Sequence, residues 1–223
     1  MVQEKLKCLN KVFKYLPIPR RNTLTVVFFG KTGVGKSSTL NALFELNWPV
    51  DNAVACTRKP QFTDFKPSDH LDVSYQNIRV VDLPGISESL IDDQKYMGYY
   101  KKWIPQADSL VWVTQADTRA YKQDEIFLKK LNPLFKKSLF FIVALNKIDC
   151  MGIYEGDKPF DTDNGKPSED QIKLIPEKID DIYTIFKNAI DKKIIFKKEQ
   201  IIPYTSVHKW KLDILKSKIL LRS

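Results

Sequence analysis

The sequence predicts an α/β fold in which helices cover both faces of a mainly parallel sheet. Short apolar segments rich in β-branched residues, typical of buried strands, alternate along the chain with segments of helical periodicity. Such alternation favours right-handed crossovers between parallel strands. A glycine-rich segment, residues 30–37, stands between a predicted strand and a predicted helix, where the ligands of parallel sheets bind. With 223 residues and 43% apolar side chains, the chain can bury a core without disulfide or metal support.

The predicted elements begin with an amphipathic basic helix at residues 1–21, which precedes a main domain at residues 22–223. Within that domain we predict strands at residues 23–29, 62–65, 71–75, 78–82, 109–113, 138–145 and 200–204. We predict helices at residues 37–46, 88–103, 124–131, 172–190 and 209–221. Polar residues, prolines and glycines predict a long loop at residues 47–60 and a loop insertion at about residues 150–170.

Basic residues outnumber acidic ones by 36 to 27, and the excess lies at two ends of the sequence. Residues 1–21 hold six basic residues against one acidic residue, and residues 191–223 hold nine against three. Basic ends are typical of proteins that contact RNA or acidic lipid, but they are also typical of an ordinary solvated surface. No aromatic and basic nucleic-acid motif accompanies the charge, so the solvated surface is the favoured interpretation.

The cysteines predict a reducing compartment. Their number is odd and no CxxC pair is present, so neither a disulfide framework nor a zinc site is indicated. The longest apolar run, residues 139–145, is far shorter than a membrane span. The basic N-terminal residues are not followed by the apolar segment of a signal peptide. We therefore predict a cytoplasmic protein with no transmembrane segment.

Residues 30–37 read GKTGVGKS and match the phosphate-binding pattern GxxxxGK[ST]. Its glycines allow successive backbone N–H groups to point at phosphate oxygens, and the following helix adds its positive N-terminal end. Lys36 is expected to reach the β- and γ-phosphates, and Ser37 to bind Mg²⁺. The predicted nucleotide-binding residues of this segment are Gly30, Lys31, Thr32, Gly33, Val34, Gly35, Lys36, Ser37 and Ser38.

Two further segments are predicted to act at the γ-phosphate. Residues 82–85 read DLPG at the end of a strand, so that Asp82 would hold Mg²⁺ through a water and the Gly85 N–H would bond the γ-phosphate. Thr57, in the long loop, would close over the ion and the phosphate; Thr63 is the alternative. The predicted catalytic residues are therefore Lys36, Thr57 and Gly85, and the predicted metal ligands are Ser37, Thr57 and Asp82.

Base recognition is predicted at residues 146–149, which read NKID after an apolar strand. The Asp149 carboxylate can accept both the N1–H and the N2–H of guanine, a donor pair that adenine lacks. This motif argues against an ATPase or kinase of the same fold. Asn146 would brace the neighbouring loops, and the Lys147 stem would cover the base. A backbone N–H in the Thr205–Ser206 turn would contact the guanine carbonyl oxygen.

With these motifs in order, the chain resembles the Era-like branch of the TrmE–Era–EngA–septin superfamily of GTPases, nearest the bacterial YeeP/YfjP-type family. The segments that carry the finer resemblance are residues 52–58, 82–89 and 116–120. The resemblance implies a three-layer P-loop NTPase G domain with a six-stranded, mainly parallel sheet. It also implies GTP and GDP as ligands, Mg²⁺ as cofactor, and GTP hydrolysis that drives a molecular switch.

Two departures from related GTPases bear on the rate of hydrolysis. Ile86 follows the DxxG motif where Ras-type enzymes have a water-orienting glutamine, which predicts slow hydrolysis. Gly33 stands where potassium-activated relatives have asparagine, so we expect no potassium activation. A GTP- or GDP-dependent partner-binding module with negligible hydrolysis is the alternative. The partners left open are a second copy across the nucleotide face and, through the basic ends, RNA, the ribosome or an acidic membrane.

Overall fold

The computed structural model describes residues 21–50, 59–67, 75–86, 90–152 and 157–222. The predicted helix at residues 1–21 lies outside these ranges, apart from its last residue. The strands are β1 Arg21–Phe29, β2 Gln61–Phe65, β3 Tyr75–Asp82, β4 Ser109–Gln115, β5 Phe140–Asn146 and β6 Ile201–Pro203. The α-helices are α1 Lys36–Phe44, α2 Leu90–Trp103, α3 Lys122–Leu131, α4 Glu169–Ala189 and α5 Leu212–Leu221.

The six strands of the described residues form one sheet in the order β2-β3-β1-β4-β5-β6. The strands β3, β1, β4, β5 and β6 pair in parallel, each with the next in this order. At one edge of the sheet, β2 pairs antiparallel with β3. The predicted mainly parallel, six-stranded sheet is therefore confirmed. Parallel strands present their carboxyl ends at one edge of the sheet, so the segments that follow β1, β3, β4, β5 and β6 emerge close together.

Two apolar cores lie on opposite faces of the sheet, which makes the architecture three-layered. Alternate residues of β1 belong to different cores: Phe29 packs in one and Phe28 in the other. The first core includes side chains of α2, α3 and α4, and the second includes side chains of α1 and α5. Because both faces of the central strands are buried, these strands are mostly apolar, as the sequence indicated.

Several element boundaries differ from the predicted ones. The prediction of a separate strand at 71–75 is wrong for its last residue. Tyr75 is the first residue of β3, which continues through Asn77 because it pairs with β1. Residues 71–74 lie outside the described ranges. Helix α5 begins three residues later than predicted because Lys209 and Lys211 adopt left-handed backbone angles. Helix α4 begins at Glu169 rather than at residue 172, because Ser168 and Gln171 form a capping box.

Residues 157–168 of the predicted insertion form a closed loop, and the last two residues of the insertion already belong to α4. Asp161 and Lys166 exchange two backbone hydrogen bonds, and Phe160 is buried. The Phe160 ring stacks on His208, with ring centroids 4.5 Å apart, so the loop packs against the segment that follows β6. Within the ranges that the structure describes, no helix is both long enough and apolar enough to span a bilayer.

Candidate nucleotide-binding site

The glycine-rich loop joins β1 to α1 at the carboxyl edge of the sheet. A Cβ atom on Gly30, whose φ is 150°, would lie 2.1 Å from the carbonyl oxygen of Val113 in β4. A Cβ atom on Gly35, whose φ is 89°, would lie 2.5 Å from Nδ2 of Asn146 in β5. Glycine at these two positions therefore allows the loop to approach both neighbouring strands. The predicted phosphate-binding residues 30–38 all lie in this loop and the first turn of α1.

Asn146, the last residue of β5, connects the glycine-rich loop to the segment after β6. Its Nδ2 donates to the carbonyl oxygen of Val34 at 3.0 Å, and its Oδ1 accepts from the backbone N–H of Ser206 at 3.0 Å. The side chain is 2% exposed, so water does not compete for these bonds. One amide thus fixes the spacing between the loop predicted to bind phosphate and the turn predicted to contact the base.

Lys36 lies in the first turn of α1 and is almost fully buried. Its Nζ donates to the carbonyl oxygen of Lys31 at 2.9 Å, which places the ammonium group inside the curl of the loop. Burial lowers the pKa of Lys36, and the negative charge of Asp82 opposes that effect. A cation held in surroundings of low dielectric attracts an anion more strongly than a cation in bulk water does.

Asp82 ends β3 beside the start of α1. Its Oδ2 accepts a hydrogen bond from Oγ of Ser37 at 3.1 Å, and its side chain is fully buried. A hydroxyl and a carboxylate are hard oxygen donors, and Mg²⁺ at nucleotide sites takes few protein ligands besides phosphate and water, so these residues fit that ion. Thr57 lies outside the described residues. Thr63 lies in the edge strand β2, opposite Val80.

The segment after β3 lies directly on the glycine-rich loop. The N–H of Thr32 donates to the carbonyl oxygen of Ile86, and the N–H of Ile86 donates to that of Gly30, each at 3.1 Å. A Cβ atom on Gly85 would lie 2.9 Å from Nζ of Lys36, so no side chain fits between them. The Ile86 side chain belongs to the apolar core and is 5% exposed.

Asp149 lies in a 3₁₀ turn, Ile148–Cys150, directly after β5. Its Oδ1 is buried and accepts no hydrogen bond from the residues that the structure describes. The preceding residue, Lys147, has a φ of 63°, and its Nζ donates to Oε1 of Gln115 at 3.0 Å. A buried carboxylate oxygen without a donor is costly, and the N–H groups on the edge of a purine base could supply one.

Thr205 and Ser206 follow β6 beside this turn. The N–H of Thr205 donates to the carbonyl oxygen of Trp210 at 3.3 Å, and its Oγ1 accepts from the N–H of His208 at 3.4 Å. The structure therefore brings the described members of four of the five predicted motifs together at one edge of the sheet, each after the end of a strand; the fifth, which contains Thr57, lies outside the described residues.

Comparison with known proteins gives the family. Residues 25–147, more than half of the chain, match the model of a family described as 50S ribosome-binding GTPase. The chain belongs to this GTPase family. The match includes the glycine-rich loop, the DxxG motif and the first residues of the NKxD motif.

Similar proteins agree with this membership. The uncharacterized proteins YfjP and YkfA of Escherichia coli strain K12 are 32% and 34% identical to the chain over 142 and 141 residues, or 62% of its length. The chain spans 45% of the length of each of these relatives. Translocase of chloroplast 108 from Physcomitrium patens is 31% identical over 157 residues, which are 64% of this chain and 14% of that protein.

Solved structures share the fold. Era in complex with MgGDPNP and a fragment of 16S ribosomal RNA has a TM-score of 0.64 and 22% identity, covering 91% of this chain and 57% of Era. An Era variant of Aquifex aeolicus bound to GDP and AlF₄⁻ has a TM-score of 0.61 and 23% identity, covering 90% and 57%. The resemblance to the TrmE–Era–EngA group and to YfjP-type GTPases is thereby confirmed.

The structure of this GTPase domain also shows an ion pair that the motifs did not indicate. Nζ of Lys31 lies 2.8 Å from Oδ2 of Asp124 in α3 and donates to the carbonyl oxygen of Ala120 at 2.8 Å. Asp124 is fully buried and also accepts from Nε1 of Trp112 at 3.0 Å. The Lys31 side chain is thus directed at α3. We therefore expect Lys31 to contact nucleotide through its backbone only. The one sequence signal was an acidic residue at an inward-facing position of α3.

Proposed function

We propose that this GTPase domain binds GTP with Mg²⁺, hydrolyses it slowly and acts as a nucleotide-dependent switch. The contact between the Gly85–Ile86 backbone and the glycine-rich loop carries the proposal, since that contact lies where a γ-phosphate would bind. Ser37 and Asp82 would hold Mg²⁺, which supplies neutralisation of phosphate charge when it is bound.

The switch follows from the space available beside Lys36. Lys36 Nζ lies so close to Gly85 that a single Cβ atom would be only 2.9 Å away. A γ-phosphate between Lys36 and the Gly85 N–H would need more room than a single Cβ atom, so the segment after β3 would have to withdraw. GDP makes no such demand. GTP and GDP would therefore favour different positions of this segment.

Slow hydrolysis follows from the surroundings of Ile86. Attack on the γ-phosphorus requires a positioned water, and the bond to the β-phosphate oxygen breaks to give GDP and phosphate. The Ile86 side chain has no polar group and is buried in the core, so it cannot hold that water. Loss of such a positioning group, or of a charge that stabilises the transition state, costs about 10³- to 10⁵-fold in rate.

A single-turnover GTPase assay at dilute protein tests the proposal and separates it from the alternative. We expect a rate of about 10⁻⁴–10⁻³ s⁻¹, near that of unassisted Ras-type proteins. Lys36→Ala is the control for loss of phosphate binding. A rate above about 1 s⁻¹ would contradict slow hydrolysis, and tight GTP binding with no measurable product would favour the partner-binding module.

Two variants of Ile86 isolate the missing polar group. Ile86→Gln restores an amide at the position after DxxG, and Ile86→Leu is the matched apolar control. If the amide can leave the core when GTP is bound, Ile86→Gln raises the rate and Ile86→Leu does not. Thermal unfolding of both variants shows whether the polar group is tolerated in the core.

The partners of the switch stay predictions. A second copy across the nucleotide face predicts that the rate per molecule rises with protein concentration in the same assay. The family description and the RNA bound to Era make RNA or the ribosome the first polyanion to test, ahead of acidic membranes. A cytoplasmic location also stays a prediction.

A further inference from the structure

The turn that contains Asp149 is hydrogen-bonded to one side chain of α4. Gln171 lies in the first turn of α4 and is 1% exposed. Its Nε2 carries two N–H groups and lies within hydrogen-bond distance of three carbonyl oxygens, those of Ile148 and Asp149, each at 3.1 Å, and that of Met151 at 3.3 Å. One amide group therefore serves three carbonyls of the segment that contains the predicted base-reading carboxylate.

These carbonyls point inward because of the local backbone. Lys147 takes the left-handed conformation, and the chain then forms the 3₁₀ turn Ile148–Cys150 before it leaves at Met151. The turn brings the carbonyl oxygens of Ile148, Asp149 and Met151 around the Gln171 amide. Carbonyl oxygens that converge in a buried place repel one another unless a donor stands between them. The Gln171 amide supplies that donor.

Gln171 also belongs to the capping box of α4. Its side-chain Oε1 accepts from the backbone N–H of Ser168 at 3.1 Å, and its backbone N–H donates to Oγ of Ser168 at 3.2 Å. A capping box of this kind is satisfied equally by glutamate or glutamine. Glutamate, however, has no N–H groups for the three carbonyls, so the turn before the helix is what requires glutamine here.

We propose that Gln171 is a positioning residue for base selection, which fixes the turn so that Asp149 meets the N1–H and N2–H of guanine. This inference rests on the proposed guanine-binding role of Asp149. Gln171 itself makes no contact with the glycine-rich loop among the hydrogen bonds of the described residues. Its loss should therefore weaken base discrimination and leave the hydrolytic step unchanged.

The decisive variant is Gln171→Glu, which keeps the size of the side chain and its capping oxygen but removes both donors. The readout is the ratio of the dissociation constants of ITP and GTP, since ITP lacks the N2 amino group that Asp149 would accept. We expect the parent to prefer GTP by about tenfold or more, and the variant by less than about threefold. Single-turnover hydrolysis at saturating GTP should change by less than about twofold.

Ser168→Ala is the matched control, because it removes one half of the capping box and leaves the Gln171 donors in place. It should lower the unfolding temperature without altering the ITP-to-GTP ratio. In a cycle with Asp149→Ala, the effects of Gln171→Glu on the ratio should not add, because both act through one carboxylate. Gln171→Met removes the same donors without adding charge, and it is the second variant if the glutamate variant does not fold.

The outcomes separate this inference from the proposed function. A parent protein that binds GTP and ITP equally would overturn the guanine-reading role of Asp149 and the inference with it. A parent that prefers GTP, together with Gln171 variants that keep the full preference, would overturn the role of Gln171 alone. Unfolding of both Gln171 variants, with Ser168→Ala folded, would mean that Gln171 serves the fold rather than base selection.

Discussion

At the scale of single residues, the turn after β5 places a carboxylate and a thiol side by side. Oδ1 of Asp149 is buried without a donor among the described residues, while Sγ of Cys150 lies 3.4 Å from its Oδ2. Partial loss of hydration and the adjacent negative charge of Asp149 raise the pKa of the exposed Cys150 thiol to about 11. The two neighbours therefore provide two different measurements on the same turn.

Asp149→Asn should shift the preference of the site from guanine to xanthine nucleotides. The amide presents a donor where guanine also presents donors, whereas xanthine offers a carbonyl oxygen at position 2. Loss of a charge-assisted hydrogen-bonded pair of this kind costs on the order of 2–4 kcal/mol. Competition binding with GTP and XTP checks the exchange, and unchanged GTP affinity in the variant would refute the role of Asp149.

Cys150 should react slowly with iodoacetamide at pH 8. A thiol with a pKa near 11 is about 0.1% thiolate at that pH, so alkylation should be about two orders of magnitude slower than that of an unperturbed cysteine. The measurement uses the Cys8→Ser, Cys56→Ser background, in which Cys150 is the remaining cysteine. Adding Asp149→Ala removes the neighbouring charge and should accelerate the reaction; equal rates would contradict the electrostatic explanation.

At the scale of elements, α3 is tied to the glycine-rich loop by the Lys31–Asp124 pair. Burial raises the pKa of Asp124, and the hydrogen bond and charge of Lys31 oppose that effect. Removing one member of a buried, hydrogen-bonded pair costs more than the pair contributes, because the other member loses its partner. The neighbouring residue of α3, Glu125, offers a direct comparison, since it pairs with Lys122 and Lys129 on the exposed face.

Asp124→Ala should lower the free energy of unfolding by about 2–4 kcal/mol, because the Trp112 indole N–H loses its acceptor and the Lys31 ammonium loses its carboxylate partner. Glu125→Ala, which removes an acidic residue from the same first turn of α3, should cost much less because its pairs are exposed to solvent. Urea unfolding of both variants checks the difference. Equal losses of unfolding free energy would show that the buried pair stabilises the fold no more than the exposed pairs do.

At the scale of the whole molecule, the basic residues of the C-terminal region lie before and after β6 in the sequence, and several of those before it already have polar partners. Lys192, Lys193, Lys197 and Lys198 precede β6, whereas Lys209 and the basic residues after it follow that strand. Some are already paired: Lys198 lies 2.5 Å from Asp180, and Lys193 donates to the carbonyl oxygen of Asn132. This distribution favours the solvated-surface interpretation for the described part of the charge.

The salt dependence of binding tests that interpretation. If the basic ends form a polyanion site, association with single-stranded RNA or acidic vesicles should fall steeply between about 50 and 200 mM salt. We expect weak binding that shows no preference between the two polyanions. Tight RNA binding at 200 mM salt would instead support an RNA or ribosome partner, and tight vesicle binding would support a membrane partner.

Much of the fold and of the candidate site could be predicted because the signals are local. Within each of the strands β1, β4 and β5 the apolar residues lie next to one another in the sequence. The same holds for the residues within each of the GxxxxGK[ST], DxxG and NKxD motifs. Parallel pairing then brings the ends of these strands to one edge, whatever the loops between them do. Boundaries were less predictable, because pairing with β1 continues β3 through the polar residue Asn77.

The sequence by itself determined the class of fold, the family and the segments that meet at the nucleotide site, since each depends on residues adjacent in the chain. The tertiary structure alone decided how those segments are held. Lys31 meets Asp124, Gly85 lies against Lys36, and Gln171 reaches the turn of Asp149. In each contact the two residues are distant in sequence. Buried polar groups depend on one another for the hydrogen bonds and the stabilisation of charge that water would otherwise supply.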